Sequence, residues 1–96
     1  MSSTDDPPTE ETLKTIREWN MLAKGYKPLM DLVGEQWWMP EWGWDPSEDG
    51  FYSISTGGWS GNEVLIEALH NNYLFWSLCW VSSHRGGHYE FELPKP

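Results

Sequence analysis

The sequence predicts an α+β fold: an N-terminal helix, a Trp-rich loop, then a β-α-β-β unit whose small, mainly antiparallel sheet is packed by helices. Three observations predict it. Apolar residues between Thr9 and Tyr26 recur at three- and four-residue steps, the run from Phe51 alternates with period two, and Gly57 to Phe91 reads as helix start, helix stop, strand, tight turn and returning strand. Ninety-six residues suit one small domain. The expected organisation is a disordered tail over 1–8 and a single domain over 9–96.

The tail, Met1 to Pro8, is Ser, Thr, Asp and Pro without apolar periodicity, so ordering it costs backbone entropy and buries nothing. Thr9 then offers an N-cap hydroxyl, Glu10 and Glu11 suit the positive helix end, and Leu13, Ile16, Trp19, Ala23 and Tyr26 form one stripe. This predicts one amphipathic helix ending at Gly25. Pro28 at a first-turn position and Gly34 as a stop predict a second helix of one or two turns. From Gln36 to Gly50, Trp37, Trp38, Trp42 and Trp44 stand among Pro40, Gly43 and Pro46, which predicts an irregular loop packed by its own side chains.

Asp49-Gly50 is a turn signal, and Phe51 to Thr56 is the first strand. Ser60 with Glu63 three residues later reads as a capping box opening a helix of about three turns, with Val64, Leu65, Ala68 and Leu69 buried and Asn71-Asn72 closing it. Tyr73 to Val81 reads as a strand with Trp76, Leu78 and Trp80 on one face. If Gly86-Gly87 form a two-residue turn, His84 faces Tyr89, Ser82 faces Phe91 and Trp80 faces Leu93. That register puts the large apolar residues of both strands on one side.

Composition narrows the function classes. Fifteen acidic against six basic residues give a formal charge of -9, which argues against nucleic acid as a direct partner, because a phosphate backbone is bound by Lys and Arg that displace counterions. The acidic balance also disfavours an anionic membrane surface, and the longest mostly apolar stretch is too short to span a bilayer. A lone Cys79 forms no internal disulfide, and no charged, then apolar, leader pattern opens the chain. A soluble protein of a reducing cytoplasm is expected. Eight Trp, four Tyr and three Phe are more aromatic area than so small an interior hides, so some indoles are expected in water.

Four places carry candidate chemistry. His84, His88 and Glu90 cluster near the hairpin and are the candidate metal or acid-base residues, but the two-residue turn puts His84 on the face opposite His88 and Glu90, and only a twisted or wider turn unites them. Cys79 between Leu78 and Trp80 reads as a small apolar core residue. Gly57-Gly58-Trp59-Ser60-Gly61 exposes amides at a helix start but has neither the lysine nor the glycine spacing of a phosphate loop. Trp37, Trp38, Trp42 and Trp44, with Asp45, Glu48 and Asp49 beside them, read as core material, as a partner-binding surface of acidic character, or as a carbohydrate or small-ligand platform. No cofactor is expected.

The residues G-G-W-S-G-N-E (Gly57 to Glu63), F-W-S-L-C-W (Phe75 to Trp80) and S-S-H-R-G-G-H-Y-E-F (Ser82 to Phe91) resemble a family of small proteins of unassigned function encoded by bacteriophages of actinobacteria. The likeness covers about the last forty residues and carries over no functional residue. It implies a phage origin, a place in the host cytoplasm, and a role in host takeover or counter-defence. The leading expectation is therefore an acidic module that binds and modulates a host or phage protein with a basic surface, in one form by mimicking nucleic acid. A small metal-binding or catalytic protein built on His84, His88 and Glu90 is the second reading. A self-associating virion or assembly component, a homo-oligomer, is the third.

Overall fold

The computed structural model describes residues 8–47 and 49–94; the expected tail except Pro8, and the candidate Glu48, lie outside these residues. Helix α1 (Glu10–Arg17) starts where the Thr9 hydroxyl accepts from the Thr12 amide, satisfying one of the first-turn donors that have no partner within the helix. The single helix expected to reach Gly25 breaks at residues 18–20. Its cause is Asn20, whose side chain accepts from the amides of Leu22 and Ala23 and so opens a separate turn, α2 (Met21–Lys24).

Helix α3 (Lys27–Gln36) has Pro28 in its first turn and runs for ten residues, through Gly34 rather than stopping there. A Cβ on Gly34 would lie 2.8 Å from the Trp44 indole, so the missing side chain makes room for that ring against the helix. The tryptophan segment is not wholly irregular. It contains a one-turn helix, α4 (Pro40–Gly43), and an edge strand, β1 (Trp44–Pro46), joined to β2 (Phe51–Ser55) by the expected turn at Gly50, whose φ is 81°.

Helix α5 (Ser60–His70) follows, but Ser60 is its first helical residue and Trp59 its N-cap; the Asn62 and Glu63 amides donate to the Trp59 carbonyl. The expected capping box is replaced by Thr56, whose hydroxyl donates to Glu63 Oε2 at 3.5 Å and accepts from the Gly58 amide at 3.3 Å. The run from Tyr73 corrects the sequence expectation most. It is helix α6 (Tyr73–Cys79), and strand β3 (Trp80–His84) starts only afterwards. Asn72 opens this helix by accepting from the Phe75 amide, while its Nδ2 donates to the Ile16 and Trp19 carbonyls, so one side chain starts α6 and ties it to the end of α1.

Strand β4 (His88–Glu92) completes an antiparallel sheet of order β1-β2-β4-β3, with one more strand than expected. The hairpin turn spans Arg85, Gly86 and Gly87, the two glycines at φ 86° and 82°, so His84 faces His88, Ser83 faces Tyr89 and Ser82 faces Glu90. A bulge at Val81 then brings Trp80 opposite Phe91 instead of Leu93. The register differs from expectation by the width of the turn and this extra residue. Tyr52, Ile54 and Phe91 on the inner face join Leu29, Met30, Val33, Leu65, Leu69 and Phe75 in a single buried cluster, and Ser53, Ser55, His88 and Glu90 take the other face. Helices pack against the sheet, which makes the fold α+β.

Candidate functional site

The four loop tryptophans divide between inside and outside. Trp37 is fully buried, and its Nε1 finds no hydrogen-bond partner among the described residues. Trp44 is half-buried and packs on Trp37 at 5.2 Å between ring centres and edge-on to Tyr52 at 5.8 Å. Trp38 is half-buried and packs on Trp59 at 5.2 Å between ring centres, the two planes tilted by 30°. Trp42 is 65% exposed, with Met39, Glu41, Asp45 and Asp49 also exposed. The segment therefore divides: Trp37 and Trp44 pack into or against the core, and Trp42 faces solvent.

The position of Trp42 is fixed from below. Asn62, 1% exposed on α5, accepts from the Trp38 amide at 2.8 Å and donates to the Trp38 carbonyl at 3.1 Å and the Thr56 carbonyl at 3.2 Å, clamping the backbone ahead of α4. Met39 then turns through φ 58°, a conformation that costs a residue with a Cβ about 1–2 kcal/mol. At the end of α4, a Cβ on Gly43 would overlap the Ser55 carbonyl oxygen, so α4 lies tight on β2, and the Trp42 ring lies over Gly57. Sequence reasoning missed this clamp; Asn62 read only as a position within the helix start.

The wider hairpin turn brings His84, His88 and Glu90 to one face. Ser82 Oγ donates to Glu90 Oε1 at 2.6 Å and lies 3.1 Å from His84 Nε2, the His84 and His88 rings are 5.7 Å apart, and His84 Nε2 is 3.8 Å from Glu90. The hydrogen bond from Ser82, helped by the nearby imidazoles, holds the Glu90 carboxyl below its ordinary value. His88 contacts Ser55 Oγ through Nδ1 at 2.7 Å and Ser53 Oγ through Nε2 at 2.9 Å. A serine-histidine pair at this distance has the reach of a nucleophile and its base, but the second ring nitrogen meets another hydroxyl where an orienting carboxylate is needed. Among the described residues no group of three or more His, Cys, Asp or Glu is arranged to hold a metal ion.

Cys79 is buried on α6, and desolvation pushes its thiol up to about 12, so the nucleophilic thiolate is disfavoured. One feature of the molecule has no counterpart in the sequence reading. An open cleft of about 500 Å³ runs along α5, lined by Ser60, Glu63, Val64, Ile66, Glu67 and His70 of that helix together with Trp76 and Tyr89. The sequence signal was present: positions 60, 63, 67 and 70 share one helical face. The aromatic wall was hidden because Trp76 was assigned to a strand. Comparison of the chain with protein-family models, with curated proteins and with solved structures finds no match.

Proposed function

We propose that this chain is an acidic protein-binding module, encoded by an actinobacteriophage, that anchors through Trp42 on a basic surface of a host or phage protein in the host cytoplasm. The observation that carries the reading is the 65% exposure of Trp42 on a helix held by buried contacts. A large indole left in water serves a partner better than it serves its own fold, and tryptophans lead among residues whose truncation costs most at interfaces. A pre-positioned side chain also loses less freedom on binding. Glu41, Asp45 and Asp49 give the surroundings negative charge, in keeping with a net charge of -9, and such charge favours fast encounter with a basic partner. The likeness of the C-terminal region to actinobacteriophage proteins supports the host setting and a role in host takeover or counter-defence.

The test is affinity capture from extract of an actinobacterial host, with mass spectrometry to name the partner and a binding titration on that partner. Trp42→Ala is expected to weaken binding by roughly thirtyfold while circular dichroism stays unchanged. Leu22→Ala, the truncation of another exposed apolar side chain, 80% exposed on α2, is expected to leave binding intact. Equal capture of the same partner by Trp42→Ala and the parent protein would remove the proposal. Trp44 is unsuited to this test, because its ring supports the core.

A further inference from the structure

We infer that the cleft along α5 is a receptor for the guanidinium group of an arginine side chain. Three features of different kinds meet there. The cleft is open to solvent, and its volume of about 500 Å³ has room for a small planar group. Trp76 and Tyr89 line one wall with their rings edge to face at 6.4 Å, and the His70 ring stands edgewise to Trp76 at 4.7 Å. Glu63 and Glu67, one turn apart on α5, add two carboxylates to a lining that also includes Val64 and Ile66, and neither lysine nor arginine is among the cleft residues.

The chemistry of the occupant follows. The ion pairs among the described residues join Arg17 to Glu10 and Lys27 to Asp31, and His84 lies 3.8 Å from Glu90, so neither cleft carboxylate is neutralised in this way. Glu63 receives one neutral hydrogen bond, from Thr56 at 3.5 Å. Two carboxylates lining the same cleft as two aromatic rings attract a cation and repel an anion, and an aromatic face adds attraction for a cation held over it. Guanidinium fits better than ammonium. It is flat, it stacks on indole and phenol rings, and its fork of donors engages carboxylates in pairs, whereas lysine presents a strongly hydrated point charge. That the arginine belongs to a protein rests on the protein-binding reading; the guanidinium chemistry does not.

The probe is a tripeptide, Gly-Arg-Gly with both ends blocked, titrated into ¹⁵N-labelled protein and followed by amide shifts. Saturable shifts are expected along α5 and around Trp76 and Tyr89, with lysine in place of arginine binding more weakly and citrulline, the uncharged isostere, not at all. Glu63→Gln and Glu67→Gln, both at exposed positions that leave the core untouched, are each expected to reduce affinity by roughly tenfold. Trp42→Ala is expected to bind the tripeptide normally, which separates this site from the proposed anchor. Equal binding of the citrulline peptide, shifts confined to other surfaces, or no saturation at ~10 mM peptide would overturn the inference, and Trp42-dependent capture would then stand alone.

Discussion

Asn72 shows how much of this fold one polar side chain decides. It is 5% exposed, opens α6 by accepting from the Phe75 amide, and returns two donor bonds to the carbonyls of Ile16 and Trp19, more than fifty residues earlier. Truncation to alanine removes a helix cap, which costs about 1 kcal/mol, and takes a donor from the part-buried Trp19 carbonyl and from the buried Ile16 carbonyl, which keeps the Trp19 amide, at a cost of about 1–3 kcal/mol more. Asn72→Ala is therefore expected to destabilise by about 3 kcal/mol, read as a lower urea midpoint at unchanged slope. Asn72→Asp keeps the cap acceptor but loses the donors, and is expected to recover little of the loss. If Asn72→Asp were as stable as the parent, the tie to α1 would carry no weight. From sequence alone Asn72 reads as a helix closer, because the partners that make it a tie lie in a distant segment.

The elements differ in how far local sequence determined them. Phe51 to Ser55 alternates strictly, with Tyr52 and Ile54 buried and Ser53 and Ser55 half-exposed, and α5 carries a clear stripe in Leu65, Ala68 and Leu69; both were legible because one face of each meets the core. Tyr73 to Val81 was not legible, since a nearly continuous apolar run satisfies period two and period 3.6 alike. What settles it is packing: Phe75 and Cys79, four apart, are buried together, and Trp76 and Trp80, also four apart, stack at 6.3 Å. The hairpin register failed for a related reason, since Gly86-Gly87 permits a two- or a three-residue turn and the bulge at Val81 leaves no local trace. The candidate sites moved with these assignments. His84 joined His88 through the wider turn, and Trp76 became a cleft wall through the change to helix.

Gly34 gives this scale its test. In an exposed helix, Gly→Ala gains up to about 1 kcal/mol. Here the new methyl would sit 2.8 Å from the Trp44 ring, and forcing an atom into packed surroundings costs about 1–3 kcal/mol. Gly34→Ala is expected to destabilise on balance. In a double-mutant cycle with Trp44→Leu, the two changes are expected to cost less together than the sum of each alone. A gain in stability from Gly34→Ala by itself would show that the helix and indole do not approach this closely.

For the whole molecule, charge is the governing quantity. The chain carries a net charge of -9, and the structure measures 34 × 27 × 24 Å over its described residues. At ~10 mM salt the screening length is about 30 Å, so every carboxylate feels nearly all the others across the molecule, while at ~150 mM it is about 8 Å and only neighbours interact. Self-repulsion of that kind disfavours the compact state, and the unfolded chain relieves it by expanding. Thermal stability is accordingly expected to rise as salt increases over this range. Binding to a basic partner draws on the same field with the opposite sign, so its association rate is expected to fall over the same interval. The pairing of the two slopes is the discriminating measurement, made by thermal melts and stopped-flow binding in matched buffers. If the charge acts as a field over the molecule, salt moves folding and association in opposite directions. If both were flat, the acidic residues would be screened locally and the attraction for a basic partner would have to come from Trp42 and the α5 cleft alone.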